Sequence, residues 1–241
     1  MEDTKRVPEG GSMRRENSLW VFLFAFLAGV IMSSAMGAAM IQTKSSSASI
    51  LRLPPPEQKG KMSLEEALAS RRSVREFTRQ ALTERELSQL LWAAQGITHA
   101  EGLRTAPSAG ALYPLELCVA LAGGFYRYEP RPHQLIRLSD RDLRAAMRRA
   151  ALDQEAISDA PAVFVIAAVY ERTSRKYGPS RTPRYVHMEA GHAAQNLLLE
   201  AVALGLGGVT IGAFEDDALQ KTLELPADQF PLYLIPVGHP R

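Results

Sequence analysis

Hydrophobic and polar positions divide the chain into three stretches. From Ser18 to Thr43 there is no charged residue, and Leu19 to Met32 is continuously apolar. The run continues through Ser33 and Ser34 into Ala35 to Ile41. About 20 apolar residues suffice to span a bilayer as a helix, and this stretch has no polar face to offer solvent. It predicts one hydrophobic N-terminal helix over 19–41, preceded by a polar tail at 1–18. The segment is either an uncleaved anchor or a signal, with Arg14 and Arg15 as its charged region and small residues at Ala35, Gly37 and Ala39. Basic residues flank both ends, so they fix no orientation. From Ser45 to Gly60 the pattern is lost in a serine cluster followed by Pro54, Pro55 and Pro56. A Ser/Pro-rich linker is expected over 42–61, with a globular domain over 62–241.

Within that domain the periodicity changes from segment to segment. Ser63 with Glu66, and Thr83 with Glu86, are capping-box pairs that open helices ending near Ser70 and Gln95, the second stopped by Gly96. Leu115–Ala122 and Ala162–Val169 are apolar runs of strand length. Phe125–Glu129 and Leu135–Leu138 alternate around Pro130 and Pro132, as a hairpin does. Asp140 is the expected cap of a helix to about Ala151. Helical spacing returns from Tyr185 to Leu204, with Gly205 as its stop. A glycine-bearing strand is predicted over Gly207–Ala213, a helix over Asp216–Leu223 and a last strand over Pro231–Val237. Helices and strands alternate without a βαβ repeat, which implies an α+β fold.

Composition changes this picture little. The 241 residues are 46% hydrophobic and 22% charged, and the formal net charge is +2. No basic stripe with interleaved aromatics exists, so no nucleic-acid partner is expected. The one cysteine, Cys118, excludes an internal disulfide and a multi-thiolate zinc site; it lies in a strand-like run and reads as a core thiol. His187 and His192 are five apart on the long helix, a spacing that does not present one face, so no metal site is expected.

Three segments carry candidate chemistry. In Arg71-Arg72-Ser73-Val74-Arg75 an extended backbone points Arg71, Ser73 and Arg75 to one side, where guanidinium forks match phosphate oxygens. On charge alone the segment reads equally as a solvated basic surface. Arg104 to Pro114 is a stiff loop of small residues and prolines whose backbone can lie against a flat ligand. Gly205 to Phe214 places glycines in a strand, which weakens it unless something approaches the backbone closely.

Together these segments resemble the nitroreductase family. The resemblance runs from about Met62 to Arg241. It rests on Arg71-Arg72-Ser73-Val74-Arg75, Ala106-Pro107-Ser108-Ala109-Gly110-Ala111-Leu112-Tyr113-Pro114, Phe125 to Pro130, and Gly191-His192-Ala193-Ala194-Gln195-Asn196. The branch it resembles most includes the azoline dehydrogenases (SagB type) of thiazole- and oxazole-containing peptide biosynthesis. The resemblance implies a nitroreductase-like fold, a mainly antiparallel sheet flanked by helices, and a homodimer with FMN at its interface. It places Arg71, Arg72, Ser73 and Arg75 at the FMN phosphate and ribityl chain, and Pro107, Ser108, Ala109 and Gly110 against the isoalloxazine. It puts Asn196 near the flavin, Gly208, Ile211 and Gly212 along its reactive edge, and His239 and Arg241 within reach of the phosphate. NAD(P)H is a candidate electron donor, since the family binds nicotinamides over the flavin without a dinucleotide fingerprint.

In azoline dehydrogenases a Lys-Tyr pair removes a proton beside the flavin, and Lys176-Tyr177 matches it. A lysine acts as a base once its surroundings favour the neutral form; Arg172, Arg175 and Arg181 lie nearby. Alternatively Glu171 to Arg184 is an ordinary basic surface loop. The expected function is an FMN-dependent oxidoreductase that moves a hydride through flavin N5 to or from a small-molecule or peptide substrate. The alternatives are an azoline dehydrogenase and a membrane-tethered flavin carrier without activity. The N-terminal segment implies an anchored or exported protein, at the inner membrane or in the periplasm of a bacterium.

Overall fold

A computed structural model describes residues 49–241. The hydrophobic helix expected over 19–41 lies outside these residues. Among the described residues, no helix is long and apolar enough to cross a membrane.

Both capping boxes form. The Ser63 hydroxyl accepts from the Glu66 amide and the Glu66 carboxylate accepts from the Ser63 amide, opening α1 (Leu64–Ser70). Thr83 and Glu86 do the same for α2 (Glu84–Gln95), whose stop is Gly96. Thr83→Ala removes one half of this reciprocal pair. It is expected to cost about 1 kcal/mol, read as a lower thermal midpoint with an unchanged circular dichroism spectrum.

Among the described residues, seven strands form one sheet in the order β1-β4-β3-β2-β5-β7-β6. They are β1 (Ile50–Arg52), β2 (Leu115–Leu121), β3 (Gly124–Glu129), β4 (Gln134–Ser139), β5 (Ala162–Ala168), β6 (Gly207–Gly208) and β7 (Phe230–Gly238). Each pairing between them is antiparallel. The central strand β5 is buried at every position, because helices cover both faces of the sheet. On one face Phe164 and Ile166 join Leu90 and Leu91 of α2 and Ala193 and Leu197 of α6 (Thr182–Ala203). On the other, Val163 and Val165 join Met147 of α3 (Arg144–Ala150), Ile157 of α4 (Glu155–Asp159) and Leu219 of α7 (Asp216–Thr222). The expected α+β architecture, a mainly antiparallel sheet flanked by helices, is the one observed.

Four local expectations change. Part of the predicted linker is structural: Ile50–Arg52 pairs with β4, Leu53 is buried, and the Pro54 carbonyl accepts from Ser88 at 2.6 Å. Asp140 caps nothing; Asp142 instead accepts from the Arg144 amide and guanidinium at the start of α3. The strand expected over Gly207–Ala213 shortens to two residues. Beyond Gly208 the chain still bonds β7 at Pro236 and Leu234, but Pro236 has no amide hydrogen with which to complete a ladder. Finally, the basic stretch after Glu171 is helix α5 (Tyr170–Tyr177), followed closely by α6; Thr173 packs inward, and Tyr170 and Tyr177 are partly buried.

Candidate functional site

The segment after α1 runs extended beside the sheet edge. Ser73 bridges Gly208 in parallel, and the Val74 amide donates to the Gly208 carbonyl at 3.0 Å. Gly207 permits this approach, since a Cβ there would lie 2.7 Å from the Val74 side chain. The result is a cavity of about 460 Å³ lined by Arg71, Ser73, Thr210 and Tyr233 and by Gly191, Ala194, Gln195 and Leu198 of α6. Gly191 and Ala194 are small enough to expose the helix surface to an occupant. Arg71 and Ser73 give it a cationic, hydrogen-bonding end.

Tyr233 also lines a second, larger cavity of about 880 Å³. Its other walls include Ala190, Gly212 and the aromatic rings of Tyr170, His187, Phe214 and Phe230. Tyr170 Oη and His187 Nε2 are 2.7 Å apart. Burial, then the charge of Asp216, pushes the Tyr170 hydroxyl pKa up, which keeps it a donor. One helix face therefore passes from a cationic pocket to an aromatic one. This donor set suits an anion joined to a flat, apolar body.

A second group of residues gathers at the loop before β2. Gly110 has φ of 65°. A Cβ added there would lie 2.8 Å from Lys176 Nζ and 2.9 Å from Tyr177 Oη, so the Lys-Tyr pair at the end of α5 sits directly against this loop. The ammonium is 5.6 Å from the centre of the Tyr177 ring, and that ring meets Tyr185 of α6 edge-on at 4.8 Å. Ser108 is turned inward, accepting from the Tyr113 amide at 2.9 Å. Pro107 and Gly110 are exposed and Ala109 is half-buried. The two nearest arginines of α5 are occupied: Arg172 pairs with Glu116 and donates to the Tyr113 carbonyl, and Arg175 pairs with Glu171 at 3.3 Å.

The remaining predicted residues scatter. Arg72 donates to the carbonyls of Ala69 and Arg71 and so closes the end of α1, away from the cavity. Arg75 is exposed and does not line the cavity with Arg71. Asn196 faces the other way from Gln195, donating to the Thr105 carbonyl at 3.3 Å. Gly208 is buried between Val237 and Ser73. Both backbone groups of Ile211 are used by Leu234, so of that pair only Gly212 opens on a cavity. His239 lies 3.8 Å from Glu86. Arg241 donates to the Phe77 carbonyl at 2.9 Å, which ties the last residue to the segment containing Arg75. Cys118 is fully buried, and burial pushes its thiol pKa up to about 12, as suits a core residue. His192 is exposed.

Sequence reading missed Gln195, Thr210, Tyr170 and Tyr233. Gln195 had a signal: it stands four residues after Gly191, on the same helix face. Thr210 and Tyr233 had none, because each is placed by pairing between distant segments.

Comparison with known proteins gives these features a context. A model of the nitroreductase family matches residues 68–239. A nitroreductase-like protein of Methanocaldococcus jannaschii is 46% identical over 194 residues, which cover 78% of this chain and 95% of that protein. Among solved structures, a nitroreductase-like protein of Ralstonia eutropha shares 32% identity at a TM-score of 0.74, over 81% of this chain and 91% of that one. The NADPH:FMN oxidoreductase of Vibrio harveyi, solved with NAD+, shares the fold at a TM-score of 0.56 and 22% identity, over 73% of this chain and 68% of that one.

Proposed function

The chain belongs to the nitroreductase family, and on that premise we propose that it is an FMN-dependent oxidoreductase working as a homodimer, with NAD(P)H as electron donor. The observation that carries this reading is the cationic pocket at Arg71 and Ser73, sharing Tyr233 with an aromatic cavity at Gly212. Arg71 and Ser73 would hold the phosphate of FMN. Gly191, Ala194 and Thr210 would line its ribityl chain, and Gly212 with the surrounding rings would receive the isoalloxazine. FMN, when bound, supplies a hydride acceptor and donor at N5. The chain's own part is to orient both reactants, exclude water and move a proton at Lys176 or Tyr177.

The cavity holding Arg71 and Ser73 contains none of Pro107, Ser108, Ala109, Gly110, Lys176 or Tyr177. Each chain thus carries two half-sites. A homodimer in which the loop of one protomer meets the pocket of its partner completes both. Anaerobic addition of NADH or NADPH to the FMN-loaded protein tests the activity. Rapid bleaching of the flavin by either is the expected result; no bleaching by both removes the reductase reading.

The position of Lys176 and Tyr177 against Gly110 favours a narrower reading, an azoline dehydrogenase that oxidises thiazoline or oxazoline rings in a peptide. Reduction of the flavin by a thiazoline peptide, with no response to nicotinamides, is the outcome that selects it. The uncharged stretch 18–43 supports placing either activity at or across a membrane.

A further inference from the structure

Glu189 is an acidic residue on the inward face of α6, and it is 3% exposed. Its Oε1 has no hydrogen-bond partner among the described residues. Two groups of the 104–114 loop act on its carboxyl, the Ser108 hydroxyl by hydrogen bonding and the Arg104 guanidinium by charge, and both favour the ionised form. Arg104 is itself held by the Gln95 side chain of α2 at 2.7 Å and stacks over the Tyr113 ring at 4.4 Å. One step further out are Glu116 of β2 and Arg172 of α5, which pair with each other. Among the described residues no histidine enters this group; the nearest along the helix, His187, is engaged with Tyr170 in the aromatic cavity.

The helix grips the loop twice. Asn196 stands seven residues after Glu189, two turns on and over the same face, and it holds the loop at Thr105. From the other side α5 holds it at Tyr113 through Arg172. Between these attachments lie Pro107, Ser108, Ala109 and Gly110, with Gly110 against Lys176 and Tyr177. A carboxylate buried with an unpaired oxygen is costly, whereas the neutral acid needs fewer partners and has a proton to donate.

We propose that Glu189 is a positioning residue that seats the 104–114 loop through Ser108, and that it carries a proton when the loop is seated. Burial, opposed by Ser108 and Arg104, pushes its pKa up to about 7. Ionisation near neutral pH then leaves a buried carboxylate that Ser108 and Arg104 compensate only in part, and opening of the loop to water relieves the rest. Its bearing on turnover rests on the proposed function above; the seating itself does not.

Amide hydrogen exchange of the full-length protein, measured at pH 6 and pH 8 with intrinsic rates corrected, tests this without flavin or substrate. In the wild type, protection over residues 104–113 is expected to fall about fivefold or more between the two pH values, while β5 stays unchanged. Glu189→Gln, which mimics the neutral acid, is expected to be protected at least as well as the wild type at pH 6, and equally at both pH values. Glu189→Ala is expected to lose it at both. If Glu189→Ala does not fold, the glutamine variant decides alone. A pH dependence that is absent in the wild type, or that persists unchanged in Glu189→Gln, overturns the proposal. Loop exchange that follows the proposal in a protein that binds no FMN would keep Glu189 and remove the flavin reading, so the two fail separately.

Discussion

Arg71→Ala combined with Ser73→Ala is expected to weaken FMN binding by about two to three orders of magnitude. A charge-assisted hydrogen bond to phosphate contributes roughly 1.5–3 kcal/mol, and this double variant removes the cationic end of the pocket altogether. Arg71 lines the pocket beside Ser73, while Arg72 is spent on the carbonyls that end α1. Arg72→Ala should therefore change FMN affinity much less than Arg71→Ala. Fluorescence quenching of added FMN measures both. Equal losses would mean that charge near the pocket matters and the pocket's geometry does not.

Lys176→Met is expected to lower turnover by about a hundredfold while FMN affinity stays within twofold of the wild type. General acid–base groups contribute roughly 10²–10⁴ in rate. The ammonium stands against the Gly110 loop with Tyr177, outside the pocket of Arg71, so removing it should separate chemistry from cofactor binding. Tyr177→Phe keeps the contact with Tyr185 and removes only the hydroxyl; its effect on turnover tells which of the two groups moves the proton. Unchanged turnover in both variants would place proton transfer elsewhere.

Stability should carry a pH signature from Glu189. Its folded-state pKa is pushed from 4.5 up to about 7. For a group raised in this way, the stabilising contribution is complete below pH 4.5 and is lost as pH rises through 7. The difference amounts to about 3 kcal/mol at most, less whatever water admitted by local opening recovers. Thermal midpoints of Glu189→Gln and wild type should therefore diverge in favour of the variant between pH 5 and pH 8.

Elements set by local chemistry were legible from local signals. The Ser63–Glu66 and Thr83–Glu86 pairs act within four residues, and β5 is apolar throughout because both its faces are covered. β1 was hidden because three residues next to a proline run have no periodicity to read; Ile50 finds Ile136 only through the folded sheet. In α5 the inward stripe of Tyr170, Thr173 and Tyr177 is thin, and the dense charge around it reads as loop.

The site followed the same rule. Alternation places Arg71, Ser73 and Arg75 on one side; Arg71 and Ser73 line the cavity and Arg75 does not. Consecutive residues on a helix diverge by about 100°, so Gln195 and Asn196 serve different faces, and only packing shows which faces the cavity. Glu189 went unnoticed because one acid in an apolar helix stretch looks like a surface position until its burial is known.

In the proposed composite site the loop and Lys176 of one protomer meet the pocket of its partner. Co-expression of Arg71→Ala/Ser73→Ala chains with Lys176→Met chains separates this arrangement from a site within one chain. Random pairing makes about half the dimers mixed, and each mixed dimer pairs one intact pocket with one intact loop. Turnover should recover to about a quarter of the wild-type value, although each variant alone is nearly inactive. Mixed dimers confirmed by mass, with turnover no higher than the average of the two variants, would contradict the account and place the whole site within one chain.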